Sequence, residues 1–209
     1  MSEPGTPLRP DVVEAVFPES ADLAVRYVEL LATTGVEWGL IGPRETDRLW
    51  ERHVFNSAAV ADLVPRGTRV VDVGSGAGLP GIPLALRRLD LRVTLLEPLL
   101  RRATFLTQAV ELLELGDRVE VVRDRAEDHR ETYDVVLSRA LAPLPRLLGW
   151  CLPLTDWDGS VLALKGRTAQ EEVDGENRVL VRQRLSAEVI SVRAYAEADP
   201  TTVVRIRSV

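Results

Sequence analysis

The sequence predicts a doubly wound α/β fold: a mostly parallel, seven-stranded, Rossmann-like sheet with an antiparallel C-terminal hairpin and N-terminal helices packed on it. Three observations predict it. From Thr68 onward, short β-rich runs alternate with helical segments, the rhythm of parallel βαβ units with right-handed crossovers. The first of these strands runs straight into a glycine-rich turn and then a helix. Near the C-terminus, two strands follow each other across only AEADPT, too short a link for a crossover helix, so they pair antiparallel.

The elements follow in order. Residues 1–20 hold four of the 13 prolines and read as a loose arm with one turn of helix. Ser20 reads as an N-cap and Gly35 as the residue past a helix end. Between them Leu23, Tyr27, Leu30 and Leu31 share a face. Gly39–Pro43 is a turn, and 45–63 a second helix with Leu49, Phe55, Ala59 and Leu63 inward. Pro65-Arg66-Gly67 ends an N-terminal part, 1–66, that packs on a core domain, 67–209, as one structural unit. In the core, strands are expected at Arg69–Val73, Arg92–Glu97, Arg118–Arg123, Tyr133–Ser138, Ser160–Lys165, Glu188–Tyr195 and Thr202–Arg207. Helices are expected at Leu79–Leu89, Leu99–Leu115 and Leu144–Leu154, with a polar helical stretch after Glu171.

Composition narrows the function. At 209 residues the chain suits one medium domain, or a domain with an appendage, better than two full domains. It has no uncharged apolar run near the ~20 residues of a membrane helix, and its start lacks the pattern of a secretory signal, so a cytoplasmic location is expected. One cysteine, Cys151, excludes an internal disulfide, and with only His53 and His129 no metal site is expected. The net charge of −6 argues against indiscriminate polyanion binding but leaves room for a local basic face. Lys165 is the single lysine beside 25 arginines.

The most informative stretch is VVDVGSGAGLPG, residues 70–81. Gly74, Gly76 and Gly78 supply positive φ or close approach where a strand end meets a nucleotide-like ligand. Two ligands compete. Gly76-Ala77-Gly78-Leu79-Pro80-Gly81 matches the dinucleotide pattern G-x-G-x-x-G. Asp72-x-Gly74-x-Gly76-x-Gly78 matches class I methyltransferases that use S-adenosylmethionine. Glu97 would hold ribose hydroxyls in both. Asp72 favours the second, because a carboxylate repels a pyrophosphate and attracts an ammonium and a sulfonium; at ~4 Å such a contact is worth ~1 kcal/mol in water and ~4 at intermediate dielectric.

The segment DVGSGAGLPGIPLAL resembles the small-subunit (16S) ribosomal RNA guanine-N7 methyltransferases, the glucose-inhibited division protein B family. ERHVFNS at 51–57, LLEPLLRRATFL at 95–106, RAED at 125–128, SRALAPLPRLL at 138–148 and LALKG at 162–166 agree in order, so the similarity spans roughly 36–170. The resemblance implies that Gly74, Leu79, Ala126, Glu127 and Arg139 contact the cofactor, and that one guanine of the decoding region is modified. The family often has Thr-Gly-Pro-Gly where this chain has Ser75-Gly76-Ala77-Gly78, and Asp or Glu can stand at Glu97; neither change removes a glycine or the ribose acceptor.

Chemistry adds detail. In the turn after the third strand, Ala126 offers a backbone N–H and Glu127 an acceptor to an adenine, with Asp128 as a lesser candidate. Ser138-Arg139-Ala140 follows the fourth strand, where an acceptor base would enter. The Asn/Asp-Pro-Pro-aromatic tetrad of amine methylation is absent, and Cys151 lies too late to be a pyrimidine-directed nucleophile. Guanine N7 needs neither; its lone pair lies on an exposed edge. Arg139 is therefore the expected catalytic residue, aimed at guanine O6 or a phosphate. Arg52, His53 and Lys165 are expected to touch RNA. The expected partner is a partly or fully assembled small subunit, bound by a monomer. A nicotinamide-dependent oxidoreductase and a non-catalytic RNA-binding module are the alternatives.

Overall fold

The computed structural model describes residues 9–209. Residues 1–8, the start of the expected arm, lie outside the described residues. Strand β1 (Arg69–Val73) is an apolar β-branched run, buried from Val70 onward. It pairs in parallel with β2 (Arg92–Leu96) on one side and β4 (Tyr133–Arg139) on the other. Strand β3 (Val119–Val122) extends the sheet beyond β2, and β5 (Thr155–Lys165) beyond β4, both parallel. Strands β6 (Leu185–Val192) and β7 (Thr201–Ser208) form the antiparallel hairpin, and β7 also pairs antiparallel with β5. The order is β3-β2-β1-β4-β5-β7-β6. The chain reverses direction across the sheet between β1 and β4, which is where such folds open a crevice at the carboxyl ends of their strands.

Alternation along the strands divides the interior in two. Val70, Val93, Leu95, Val135, Leu137, Leu162 and Leu164 face one cluster. It is closed by α1 (Pro10–Val16), α2 (Ala21–Leu30), α4 (Gly81–Arg87) and α5 (Leu100–Leu112). Val71, Val73, Val136, Val161 and Ala163 face the other, under α6 (Leu144–Cys151) and α7 (Ala169–Arg182). This parity decides where the polar residues at the strand ends point.

Several local expectations need correction. The single turn expected before residue 20 is the seven-residue helix α1, because Val12, Val13 and Val16 find a core to enter. Ser20 precedes α2, but its hydroxyl donates to the Leu86 carbonyl at 2.5 Å instead of capping. The chain does not leave the helix at Gly35; it continues through a π turn, Leu31–Gly35, and reverses at Gly39, whose φ is +67°. The helix expected over 45–63 is four short pieces: 3₁₀ Pro43–Arg48, π Leu49–Phe55, the single α turn α3 (Asn56–Ala58) and 3₁₀ Ala59–Leu63. Leu49, Phe55 and Ala59 are buried as expected. Strand β5 begins at Thr155, five residues before Ser160, and its polar start Thr-Asp-Trp-Asp hides the strand pattern.

Candidate active site

A cavity of about 650 Å³ opens at the carboxyl ends of β1 to β4. That is within the range of small-molecule sites, ~300–1,000 Å³. Gly74 stands at the end of β1, Glu97 at the end of β2, Ala126 and Glu127 in the turn after β3, and Arg139 at the end of β4; all five line it. Trp150, from α6, also lines it, and the sequence reading missed it. Its indole N–H donates to Glu127 Oε1 at 2.6 Å. The signal available was a tryptophan on an amphipathic helix eleven positions after Arg139.

The glycine loop is built by close approach. Gly74, Gly76 and Gly78 have φ of +71°, +59° and +93°, where residues with a Cβ are strained. A Cβ on Gly81 would lie 2.4 Å from Leu95 Cδ2 and 2.9 Å from Asp72 Oδ2, so only glycine lets α4 start against the sheet. Behind the loop, the fully buried Tyr27 donates its hydroxyl to the Ala77 carbonyl at 2.7 Å.

Glu97 is nearly inaccessible, yet its carboxylate forms part of the cavity wall. Oε2 accepts from Gly76 N and Oε1 from Leu99 N, each at 3.0 Å. Both oxygens keep a further lone pair for hydroxyl donors.

Asp72 requires a correction. It does not reach the cavity wall, because its position in β1 shares the face of Val70 and points under the loop. Oδ2 accepts from Gly81 N at 3.0 Å, while Oδ1 has no hydrogen-bond partner among the described residues. Burial is the main reason its pKa rises to about 7, against the Gly81 hydrogen bond that favours the anion. Gly76, Gly78 and Leu79 also stand behind the wall: Gly76 touches the site through Glu97, Gly78 packs on Ile82, and Leu79 joins the core.

Arg139 is the second correction. Its guanidinium is not aimed at an acceptor in the cavity. Nη1 donates to the His53 carbonyl at 3.2 Å and Ser57 Oγ at 2.9 Å; Nη2 donates to the Arg52 carbonyl and to His53 Nδ1, both at 3.0 Å. Strand parity is the cause, since Arg139 lies on the face of Val135 and Leu137, toward the N-terminal helices. His53, expected at RNA, is thereby enclosed, with Nε2 3.0 Å from Glu45 Oε2. Arg52 remains exposed and pairs with Glu45 Oε1 at 3.3 Å.

Lys165 is the third. It shares the face of Val161 and Ala163, so its ammonium turns toward α7. It donates to the Ala142 carbonyl at 2.7 Å and to Glu172 Oε2 at 2.8 Å, and its side chain is 10% exposed. It anchors the turn between β4 and α6 and offers no free charge to a phosphate. Cys151 is buried, with its thiol pushed up to about 12 by desolvation, as a small core residue would be. No metal-binding cluster and no helix long and apolar enough to cross a membrane occur among the described residues.

A doubly wound sheet of this order, with a glycine turn after β1, an acidic residue ending β2 and one cavity over both, defines the chain as a protein of the class I methyltransferase fold. The M. jannaschii TYW2 structure in complex with AdoMet superposes with a TM-score of 0.56 at 18% identity, covering 73% of this chain and 74% of that one. The chain belongs to the family described as rRNA small subunit methyltransferase G, whose model matches residues 20–202. The match extends past the 36–170 span of the motifs at both ends. The Ribosomal RNA small subunit methyltransferase G of Thermobifida fusca is 54% identical over 199 residues, 94% of this chain and 84% of that protein. The protein of the same name from Mycolicibacterium paratuberculosis is 51% identical over 204 residues, 95% of this chain and 82% of its own length.

Proposed function

We propose that this methyltransferase, which takes its methyl group from S-adenosylmethionine, places it on N7 of one guanine in the 16S RNA of the small ribosomal subunit. One observation carries the choice of cofactor. Gly76 N and Gly81 N, two amides of the glycine loop, are donated to the carboxylates of Glu97 and Asp72. A dinucleotide needs loop amides for its pyrophosphate, and these two carboxylates would repel it. A cationic ligand meets attraction from both. The nicotinamide reading is disfavoured on the same ground.

The residues fit the cofactor. Glu97 accepts the ribose hydroxyls. The backbone of Ala126 and the carboxylate of Glu127 read the adenine, with Trp150 beside them. Gly74 keeps the end of β1 open to the methionine portion. Asp72 acts from behind the loop, by its hold on Gly81 and by its field. When bound, the cofactor supplies a methyl carbon on a positively charged sulfur. No residue has to remove a proton, because N7 presents a free lone pair. The chain's task is alignment, worth up to ~7–11 kcal/mol when reacting atoms are held in line. Arg139 contributes by fixing the turn that follows β4, which makes it a positioning residue.

The N-terminal part, described from residue 9 to residue 66, packs on the core 67–209 and acts with it as one unit, supported by the apolar cluster the two share. The enzyme works as a cytoplasmic monomer on an assembled or partly assembled subunit, supported by its net charge of −6, which disfavours free RNA. Arg52, exposed on the N-terminal segment, is the cation assigned to RNA contact.

Mass spectrometry of 16S RNA from a deletion strain tests the reaction: one N7-methylguanine should be missing and should return with the intact gene. Titration calorimetry with S-adenosylhomocysteine and NAD tests the cofactor, and binding of NAD alone would defeat it. Equal methylation of naked transcript and assembled subunit would defeat the particle requirement.

A further inference from the structure

Arg139 closes four hydrogen bonds onto residues 52–57, and one of them fixes a protonation state. A guanidinium has donors only. His53 Nδ1, 3.0 Å from Nη2, must therefore present its lone pair, which leaves the proton on Nε2, where it donates to Glu45 Oε2 at 3.0 Å. The other tautomer would set two N–H groups against each other, and so would the imidazolium. The segment that supplies three of these four acceptors, Leu49–Phe55, is wound as a π-helix, a form common at functional positions. At the other end of the clasp, Arg139 is followed by Ala140, a non-glycine residue at φ +51°, and by Leu141, whose side chain covers Gly74. Arg139, Ala140 and Leu141 all line the cavity. Whatever holds Arg139 thus holds one wall of the cofactor site.

We infer that Glu45 and His53 are positioning residues, which through a neutral, Nε2-protonated imidazole lock Arg139 and with it the cavity wall formed by residues 139–141. This rests on the reading of the cavity as the S-adenosylmethionine site. Protonation of His53 removes the acceptor, adds a second cation beside the guanidinium and opens the clasp.

The groups facing this node are few. Glu45 and Arg52, with Arg48 beyond them, come from the N-terminal segment; Arg139 comes from β4; Asp72 of β1 and Tyr27 of α2 stand behind the guanidinium. Burial, then the Arg139 charge, hold the His53 pKa below 6.5, against the pull of Glu45. The clasp is therefore closed at neutral pH and opens as the pH falls through the lowered His53 pKa.

Two readouts test it. The first is ¹⁵N NMR of the two histidines, with His129→Gln used to assign them; His53 should carry its proton on Nε2. The second is calorimetry of S-adenosylhomocysteine between pH 5 and 8. Wild-type affinity should fall by up to about tenfold per pH unit below the His53 titration. Glu45→Gln should move that fall to lower pH, since it removes the carboxylate that favours the imidazolium. His53→Asn keeps an acceptor near the Nδ1 position but cannot titrate; it should bind a few-fold more weakly at pH 8 and lose the His53 part of the acid fall, leaving only the dependence that comes from Asp72. An Nδ1-protonated His53, or an acid fall unchanged in both variants, overturns the inference. Absence of any S-adenosylhomocysteine binding to wild type overturns the cofactor reading instead, while the tautomer still decides whether the clasp exists.

Discussion

Trp150 donates its indole N–H to Glu127 Oε1 across 2.6 Å, and that bond ties α6 to the turn after β3. Both residues line the same cavity, so its two sides are held together by a pair near the surface. Glu127→Ala removes the acceptor for Trp150 and, on the proposed reading, an acceptor for the adenine amine. One ordinary hydrogen bond is worth about 0.5–1.5 kcal/mol. The dissociation constant for S-adenosylhomocysteine should rise about 3- to 10-fold by calorimetry. Trp150→Phe should weaken binding less, and should remove most of the tryptophan fluorescence change on binding. An unaltered signal in Trp150→Phe would place the ligand elsewhere.

Gly81 and Gly78 should respond differently from an ordinary turn glycine. Gly81 has no need of positive φ, yet a Cβ there would strike Leu95 and Asp72. At Gly78, φ is +93° and a Cβ would lie 2.4 Å from Ile82 Cδ1. Overpacking typically costs about 1–3 kcal/mol, and the strained backbone at Gly78 adds roughly 1 kcal/mol or more. Both alanine variants should show lower urea midpoints, with Gly78→Ala also losing cofactor binding. Gly67, at φ +69° with open space around it, is the control: an alanine there should cost only the backbone strain.

The strands, the antiparallel hairpin and the glycine loop were legible because each rests on a local rule: period-two burial, short links and backbone that only glycine adopts. The segment 43–63 was not, since its π and 3₁₀ turns answer to partners far away in sequence, such as Arg139 at Ser57 Oγ. The cavity residues Gly74, Glu97, Ala126 and Glu127 could be placed from their positions at strand ends. The side-chain directions of Asp72, Arg139 and Lys165 were not read, for one reason. Each was judged by its nearness to the site rather than by strand parity, and parity puts Asp72 with Val70, Arg139 with Leu137, and Lys165 with Ala163. That information was in the sequence all along.

Asp72 should make stability fall with rising pH. Its pKa is about 7 in the native state against 3.8 for a free side chain, chiefly through burial. The native state therefore favours the protonated form. This contribution is complete below 3.8, declines as pH rises, and is lost by the time pH passes about 7. Ionising the buried carboxyl costs on the order of a few kcal/mol. Asp72→Asn has no such ionisation, although its amide N–H₂ inherits the unpartnered position of Oδ1. Whatever that fixed cost, the variant should gain stability relative to wild type between pH 5 and pH 8 in urea titrations. A cationic ligand should also pull the pKa down, so wild type should release protons on binding near pH 7, measurable by calorimetry in buffers of different ionisation enthalpy, and Asp72→Asn should not.

Lys165 and Arg52 separate a structural cation from one available to RNA. Lys165 is committed to the Ala142 carbonyl and to Glu172, whose carboxylate also accepts from Leu144 N at 3.0 Å. Burial raises the pKa of Glu172, but the Lys165 and Leu144 hydrogen bonds outweigh it and hold the group below its ordinary 4.5. Stability from this pair is thus present above pH 4.5 and lost as the pH falls through the lowered value. Lys165→Met should cost roughly 1–3 kcal/mol by leaving Glu172 and the turn before α6 without their partner. It should leave the dependence of RNA binding on salt unchanged, because no phosphate contact is removed. Arg52 is more than half exposed and its pair with Glu45 is a surface pair of small worth. Arg52→Ala should leave the fold intact and reduce the slope of log affinity against log salt by about 1. If Lys165→Met lowers that slope while the protein stays as stable as wild type, the ammonium meets RNA after all, and its bond to Glu172 is incidental.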